Sequence, residues 1–368
     1  EGEKMTEILL TDEMKKRSVA NYGNPYRILK MFEKLKRGEE ITFVTIGGSI
    51  TQRYNASSPE LCYAALLAKE LENSFPEAKI NYINAGIGAT GSLIGVHRLK
   101  RDVLVYNPDF VTVEFSVNEG NCDDTVEYYD NLIFNILNYS TKPAVLCLGM
   151  VNHTGSSAQE SHIKVARHYD LPFISYRDAV WPEIVAGRLS WNDLSDDIIH
   201  PHDGGHQLTT RLIIDYFEGI YGKSSCDFSD NKCDKALISN RFRNAQIYYI
   251  DDITPELCGC FVREKVNLNK IPYGWVAHEN GAPIVFNLKK CSRVYMLFER
   301  TNKGDGGKAI ARVFDWETVL DADFKDGWGI YYNNSLVYSG DEAQDIILSI
   351  TPELENGKHF AVAGIMVS

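Results

Sequence analysis

The sequence contains no apolar run close to the ~18 residues that a membrane-spanning helix requires. Basic charge is also in short supply: 38 Lys and Arg face 50 Asp and Glu, a formal balance of −12. That sign argues against a general nucleic-acid binder and against an anionic membrane surface as partner. Cysteine is thin and scattered, at positions 62, 122, 147, 226, 233, 258, 260 and 291, with no Cys-x-x-Cys pair. A zinc ribbon and a compact disulfide framework are therefore excluded. Reduced thiols are expected, although Cys226 and Cys233 could pair in an oxidising setting. The first residues, EGEKMTEILLTDEMKKRS, lack the basic-then-apolar layout of a secretory signal. A cytoplasmic protein is expected on that ground, with a trimmed leader left open by the initial Glu. Internal repeats and low-complexity tracts are missing too.

What is present is a chain of 368 residues, 44% apolar and 24% charged, able to bury substantial cores. Its length exceeds one ordinary domain, and two are expected. The stretch 1–40 is polar with one helical pattern at 26–35. A β-branched run at 41–46 (ITFVTI) then stops at Gly47-Gly48, as a buried parallel strand does. Helical patterns at 62–71, 126–137, 161–169 and 206–220 alternate with apolar runs at 80–83, 110–115, 144–148 and 173–175. This alternation predicts an α/β fold over residues 1–222, with 1–40 as an N-terminal extension: a mainly parallel sheet between two helical layers. From about residue 223 the pattern changes to short strands separated by turns, at 246–249, 285–288, 293–298, 309–313, 329–332, 346–350 and 360–366. Residues 223–368 are thus expected to form an all-β sandwich.

Chemistry is suggested by the turns at the strand ends. Gly47-Gly48-Ser49-Ile50-Thr51 comes directly after the first buried run, at the sheet edge where open α/β proteins put their ligands. A serine there lies near a helix N-terminus, where developing negative charge is favoured. No Gly-Lys-Ser/Thr comes after it, so this is no Walker loop. Taken alone, Gly-Gly-Ser is as readily a plain turn. Some 150 residues on, Asp197-Ile198-Ile199-His200-Pro201 leads into the last helix of the domain. An imidazole is the usual base for a serine hydroxyl, and a carboxylate on its other nitrogen fixes its tautomer. By itself this pair also reads as a capping turn. Two further turns, residues 84–91 (NAGIGATG) and Ser116-Val117-Asn118-Glu119, end the second and third strands on the same edge. They could supply N–H donors to an alkoxide. Four such turns on one edge, in this order, are hard to ascribe to turn chemistry alone.

The four segments resemble the blocks of the SGNH (GDSL-type) hydrolase superfamily over roughly residues 40–220. The GGSIT version of the first block, with Tyr54-Asn55-Ala56 and Asn84-Ala85-Gly86-Ile87-Gly88, is most similar to a bacterial branch of carbohydrate O-acetylesterases. Those enzymes carry a C-terminal β-sandwich like a carbohydrate-binding module, and the likeness is greatest to carbohydrate esterase family seventeen, the acetylmannan esterases. The resemblance implies Ser49 as nucleophile, His200 as base and Asp197 as its orienting acid. It also implies Asn118 as an oxyanion donor beside the Ser49 N–H. Ala89 stands where the superfamily has its oxyanion glycine, with Gly88 as fallback donor, and Glu119 replaces an aspartate. The implied substrate is an acetylated oligosaccharide, manno-oligosaccharides first and the axial 2-O-acetyl of mannose favoured; no metal or organic cofactor is implied. Tyr54, Asn55 and His202 are placed to touch substrate.

Rival readings use the same residues. His200, His202 and His206 with Asp203 have metal-ligand chemistry, which would make a metal-dependent deacetylase. Asp196 could replace Asp197 as the acid. Trp181, Trp191, Trp275, Trp316 and Trp328 could stack on sugar, although core packing suits most of them. A lipase-like or lysophospholipase-like esterase, or a carbohydrate-binding protein with a vestigial hydrolase domain, remain the alternatives in function.

Overall fold

The β-branched run at Ile41 lies in a strand buried on both faces and paired on both sides. The computed structural model describes residues 8–231, 233–327 and 329–368; Trp328, placed by sequence among the sandwich strands, lies outside them. In chain order the first part consists of α1 (Asp12–Ser18), β1 (Val19–Asn21), α2 (Tyr26–Lys36), β2 (Glu40–Gly47), α3 (Ser49–Gln52), α4 (Tyr63–Ser74), β3 (Lys79–Gly86) and α5 (Ser92–Asp102). It continues through β4 (Phe110–Glu114), α6 (Asp123–Leu137), β5 (Ala144–Gly149), α7 (Gln159–His168), β6 (Phe173–Ser175), α8 (Tyr176–Val185) and α9 (Asp203–Tyr221).

The strands form one sheet in the order β1-β6-β5-β4-β2-β3, parallel except for β1, which runs antiparallel to β6. From β2 the chain goes to one neighbour, β3, and then returns to the other, β4. That reversal is the topological switch point of a doubly wound sheet, and it leaves a crevice outside the carboxyl ends of β2 and β4. On one face Phe43, Phe110, Leu146 and Leu148 share a core with residues of α1, α2, α4, α8 and α9. Helices α5, α6 and α7 contact one another and the strands in turn, which gives the expected α/β/α layering.

Elements of this part that the sequence pattern does not announce include α1, β1, α5 and α8. The last shows why. Pro182 sits inside α8 and lacks the N–H that would reach the Asp178 carbonyl one turn back. Arg17 of α1 reaches across instead: its Nε donates to the Asp178 carbonyl at 3.0 Å and its Nη2 to the Ala179 carbonyl at 3.2 Å. A distant side chain thus completes a helix that local rules would break.

The compact units divide between Asn240 and Arg241 rather than at 223. Residues 224–239 have no apolar periodicity, but polar side chains fasten them to the first unit. Arg27 Nε donates to Asp230 at 2.6 Å, Asn231 Nδ2 to the Tyr169 carbonyl at 2.8 Å, and the Ile238 N–H to Asp130 at 2.9 Å.

The second unit is all-β: β7 (Gln246–Tyr248), β8 (Val262–Leu268), β9 (Ile271–Ala277), β10 (Ile284–Thr301), β11 (Lys308–Val313), β12 (Trp316–Asp321), β13 (Ile330–Glu353) and β14 (Phe360–Val367). These strands form one continuous antiparallel sheet in the order β12-β11-β13-β10-β14-β9-β8, with β7 added on β14, and its curl makes the sandwich-like all-β domain expected. The runs at 285–288 and 293–298 are two halves of β10, and those at 329–332 and 346–350 are the ends of β13. Register shifts between Leu288 and Arg293 bend the long pair, as bulges do. The sheet curls around its own core of Phe286, Leu288, Met296, Phe298, Leu348 and Val362.

Candidate active site

Gly47 ends β2, and the next two residues turn the chain into α3, the single helical turn that starts at Ser49. The turn is tight enough that a Cβ on Gly48 would lie 2.4 Å from Asn118 Nδ2; glycine lets that amide sit against the backbone. Beneath the turn, Thr51 Oγ1 is 3.0 Å from the Tyr63 hydroxyl and 3.4 Å from Glu114 Oε2, all of them buried. Asn84 Nδ2 donates to the Thr51 carbonyl at 2.8 Å while its Oδ1 accepts the Gly86 N–H at 2.8 Å. These contacts fix α3 to the ends of β3 and β4.

Ser49 is buried at 8% exposure, and its Oγ lies 2.8 Å from His200 Nε2. Nδ1 of the same ring is 2.7 Å from Asp197 Oδ2. The other carboxylate oxygen accepts the N–H groups of Ile199 (2.7 Å) and His200 (2.6 Å), so the turn 197–200 closes on its own acid. Partial burial alone would raise the Asp197 pKa. The His200 and Ile199 N–H groups and the imidazole outweigh it and hold the carboxyl below its usual range. Asp196 is exposed and takes no part. The loop is braced from outside by Trp191, whose indole N–H donates to the Asp197 carbonyl at 2.6 Å. Ser195 Oγ donates to the His200 carbonyl at 2.6 Å. A hydroxyl, an imidazole and a carboxylate in this line can pass a proton from oxygen to nitrogen and stabilise the resulting cation.

Three donors come from the turns at this edge of the sheet. The Ser49 and Ala89 N–H groups make no hydrogen bond among the described residues. Asn118 Nδ2 gives one proton to the Thr90 carbonyl at 2.8 Å and keeps a second. Ala89 holds a left-handed φ of 58°, a conformation that favours glycine and that alanine adopts at a cost. The Gly88 N–H is occupied by Gln52 Oε1, so Gly88 is not free as a donor. Glu119, one carbon longer than the aspartate of the resemblance, spans two helices. Oε1 accepts the N–H and Oγ of Ser92 at the start of α5, and Oε2 lies 2.8 Å from Nε2 of buried His162.

The remaining sequence candidates are brought near, with different duties. The Tyr54 ring lies 4.3 Å from that of His200 and is 58% exposed, so its outer face is open. Asn55 Nδ2 donates to the His200 carbonyl at 2.9 Å, which makes it a support for the loop. His202 caps α9, its Nδ1 accepting the Gly204 and Gly205 N–H groups. His206 is buried, its Nδ1 accepting the Tyr63 N–H and its Nε2 donating to the Tyr54 carbonyl; burial pushes its pKa down to about 4. The three histidines thus serve separate partners, and among the described residues no group of three or more His, Cys, Asp or Glu is placed to hold a metal ion. All eight cysteines are free thiols, Cys226 and Cys233 included. No described helix is long and apolar enough to cross a membrane. Trp275 is core, against Phe286, whereas Trp316 is exposed beside Tyr338. Sequence reasoning missed Gln52 and Ser195 and gave Trp191 a stacking or core role instead of its bond to the Asp197 carbonyl; these contacts join residues through turns that no pattern announces.

Residues 45–208 match the GDSL-like lipase/acylhydrolase family. The first unit is accordingly a GDSL/SGNH-type acylhydrolase domain, and the chain is a carboxylic ester hydrolase. The crystal structure of a two-domain esterase (CEX) active on acetylated mannans matches with a TM-score of 0.89 and 29% identity, over 96% of this chain and 98% of that one. The same esterase co-crystallised with mannopentaose matches with a TM-score of 0.88 and 29% identity over the same shares. Among curated proteins nothing matches the chain.

Proposed function

We propose that the chain is a serine-dependent carbohydrate O-acetylesterase acting on acetylated manno-oligosaccharides. The observation that carries the reading is the line Ser49–His200–Asp197, at 2.8 and 2.7 Å, beside three unsatisfied N–H donors. Ser49 Oγ attacks the acetyl carbonyl as its proton moves to His200 Nε2. The alkoxide that forms is met by the N–H groups of Ser49 and Ala89 and by Asn118 Nδ2. Collapse breaks the bond from the carbonyl carbon to the sugar oxygen, which leaves as a hydroxyl by taking the proton from His200. Water, deprotonated by His200, then attacks the acetyl-enzyme; collapse breaks the bond to Ser49 Oγ, which regains its proton from His200 as acetate leaves, and Asp197 stabilises the imidazolium in both steps. No step needs a metal or organic cofactor.

The choice of mannan is supported by the esterase active on acetylated mannans, whose likeness spans both units. The exposed face of Tyr54 gives a pyranose ring an aromatic surface next to the base. The second unit carries a polar cleft of about 590 Å³ lined by Arg300, Asp321, Asp323, Phe324 and Glu353 among others, a lining suited to sugar hydroxyls. We assign that unit a carbohydrate-binding role.

The test is a proton NMR time course on acetylated manno-oligosaccharides. Wild type should release acetate, with the 2-O-acetyl signals of mannose vanishing first, and Ser49→Ala should lower the rate by roughly 10⁴-fold or more while keeping its fold. Activity persisting in the variant would remove the nucleophile. Preference for long acyl chains over acetyl would overturn the acetylesterase reading in favour of a lipase-like one.

A further inference from the structure

We infer that Arg98 is a positioning residue that sets the spacing of the two backbone oxyanion donors; the inference rests on the esterase reading above. Arg98 lies on α5 with no exposed surface, among the largest fully buried side chains of the protein. A buried guanidinium is costly unless its donors are matched; Nε has no partner among the described residues, and the groups that match the two terminal nitrogens are informative. Nη2 donates to the Gly47 carbonyl at 3.1 Å, and Nη1 donates to the Ala85 carbonyl and to Asp102 Oδ2, the latter at 3.1 Å. Gly47 is the last residue of β2, two before the Ser49 N–H. Ala85 is the next-to-last of β3, four before the Ala89 N–H.

Both peptide groups so gripped are held at their other end. The Gly48 N–H donates to the Glu114 carbonyl at 3.2 Å, and the Gly86 N–H to Asn84 Oδ1 at 2.8 Å. With oxygen and N–H both fixed, each peptide plane is fixed, and so is the direction in which the next turn leaves the sheet. These turns are rich in glycine, and the direct bond between them is the Ile87 N–H to the same Gly47 carbonyl at 3.0 Å. One planar fork with donors at a set separation adds a second tie between them, which a flexible ammonium could not do. The same helix also reaches the third donor: its first residue, Ser92, is capped by Glu119, the neighbour of Asn118. Helix α5 thereby acts as a strut common to all three, and its buried cation lends positive potential behind the place where the oxyanion forms.

The experiment compares wild type, Arg98→Met and Arg98→Lys for kcat and KM on 4-nitrophenyl acetate, with circular dichroism and the far-downfield proton signal of the His200–Asp197 hydrogen bond. Arg98→Met is expected to keep the signal and to hold KM within about two-fold, while kcat falls on the order of 10- to 100-fold, the scale of a misplaced or lost oxyanion donor. Arg98→Lys should fall between the two. A merely structural role would not split kcat from KM with the downfield signal intact. Folded variants with wild-type kcat overturn the inference, as does failure of both variants to fold, which would make Arg98 a determinant of the fold alone. Wild-type turnover separates the premises: an inactive wild type overturns the esterase reading and this inference with it, whereas an active wild type with unaffected variants overturns this inference alone.

Discussion

Gln52 takes the Gly88 N–H onto its side-chain oxygen, and this one bond decides which N–H of the 84–91 turn is left for substrate. Gln52 ends α3, the turn that begins with Ser49, so the residue three places after Ser49 also shapes the opposite wall of the crevice.

Gln52→Ala is therefore expected to loosen the glycine turn without touching the triad. The cost should be roughly 10-fold in kcat, less than removal of a whole oxyanion donor, with KM little changed. Steady-state kinetics on 4-nitrophenyl acetate measures both, and an unchanged kcat would dismiss the role given to Gln52.

Ala89 holds a φ of 58° where a Cβ is unfavourable. Ala89→Gly should relieve that strain at some loss to a more flexible unfolded chain. The balance is a gain of about 0.5–1 kcal/mol in stability, with the N–H, and hence turnover, kept. Chemical denaturation of the variant is the check; a clear loss of stability would mean that packing of the alanine methyl outweighs the strain.

Glu114 gives a pH prediction. Burial under the Ser49 turn raises its pKa to about 7, and its partners are the Ser116 N–H and hydroxyl and the Thr51 hydroxyl, none of them a cation. A carboxyl whose folded pKa lies above its unfolded value of about 4.3 contributes stability at low pH that is lost as pH rises toward 7. Glu114→Gln keeps the shape and can donate to Thr51, but it never ionises. The variant should match wild type near pH 4 and exceed it by on the order of 2 kcal/mol above pH 8. Unfolding midpoints at both values test this, and a gain equal at the two would show that ionisation is not the cause.

The α/β and all-β parts, the alternation of strands with helices, and the four turns with Ser49, Asn118, Asp197 and His200 are legible in the sequence. Buried parallel strands need unbroken apolar runs, and glycine, asparagine and a helix start must come after them where a ligand is to sit. These are local demands, and they leave local marks. The Ser49–His200 and His200–Asp197 hydrogen bonds, the occupied Gly88 N–H, the Glu119 bridge to His162 and the Arg98 fork were decided by the tertiary structure. So were the completion of α8 by Arg17, the attachment of 224–239 to the first unit, and the curl of the second unit's sheet. Each joins groups far apart in the chain through a side chain whose type fits many partners. Only packing determines which of those partners comes within reach.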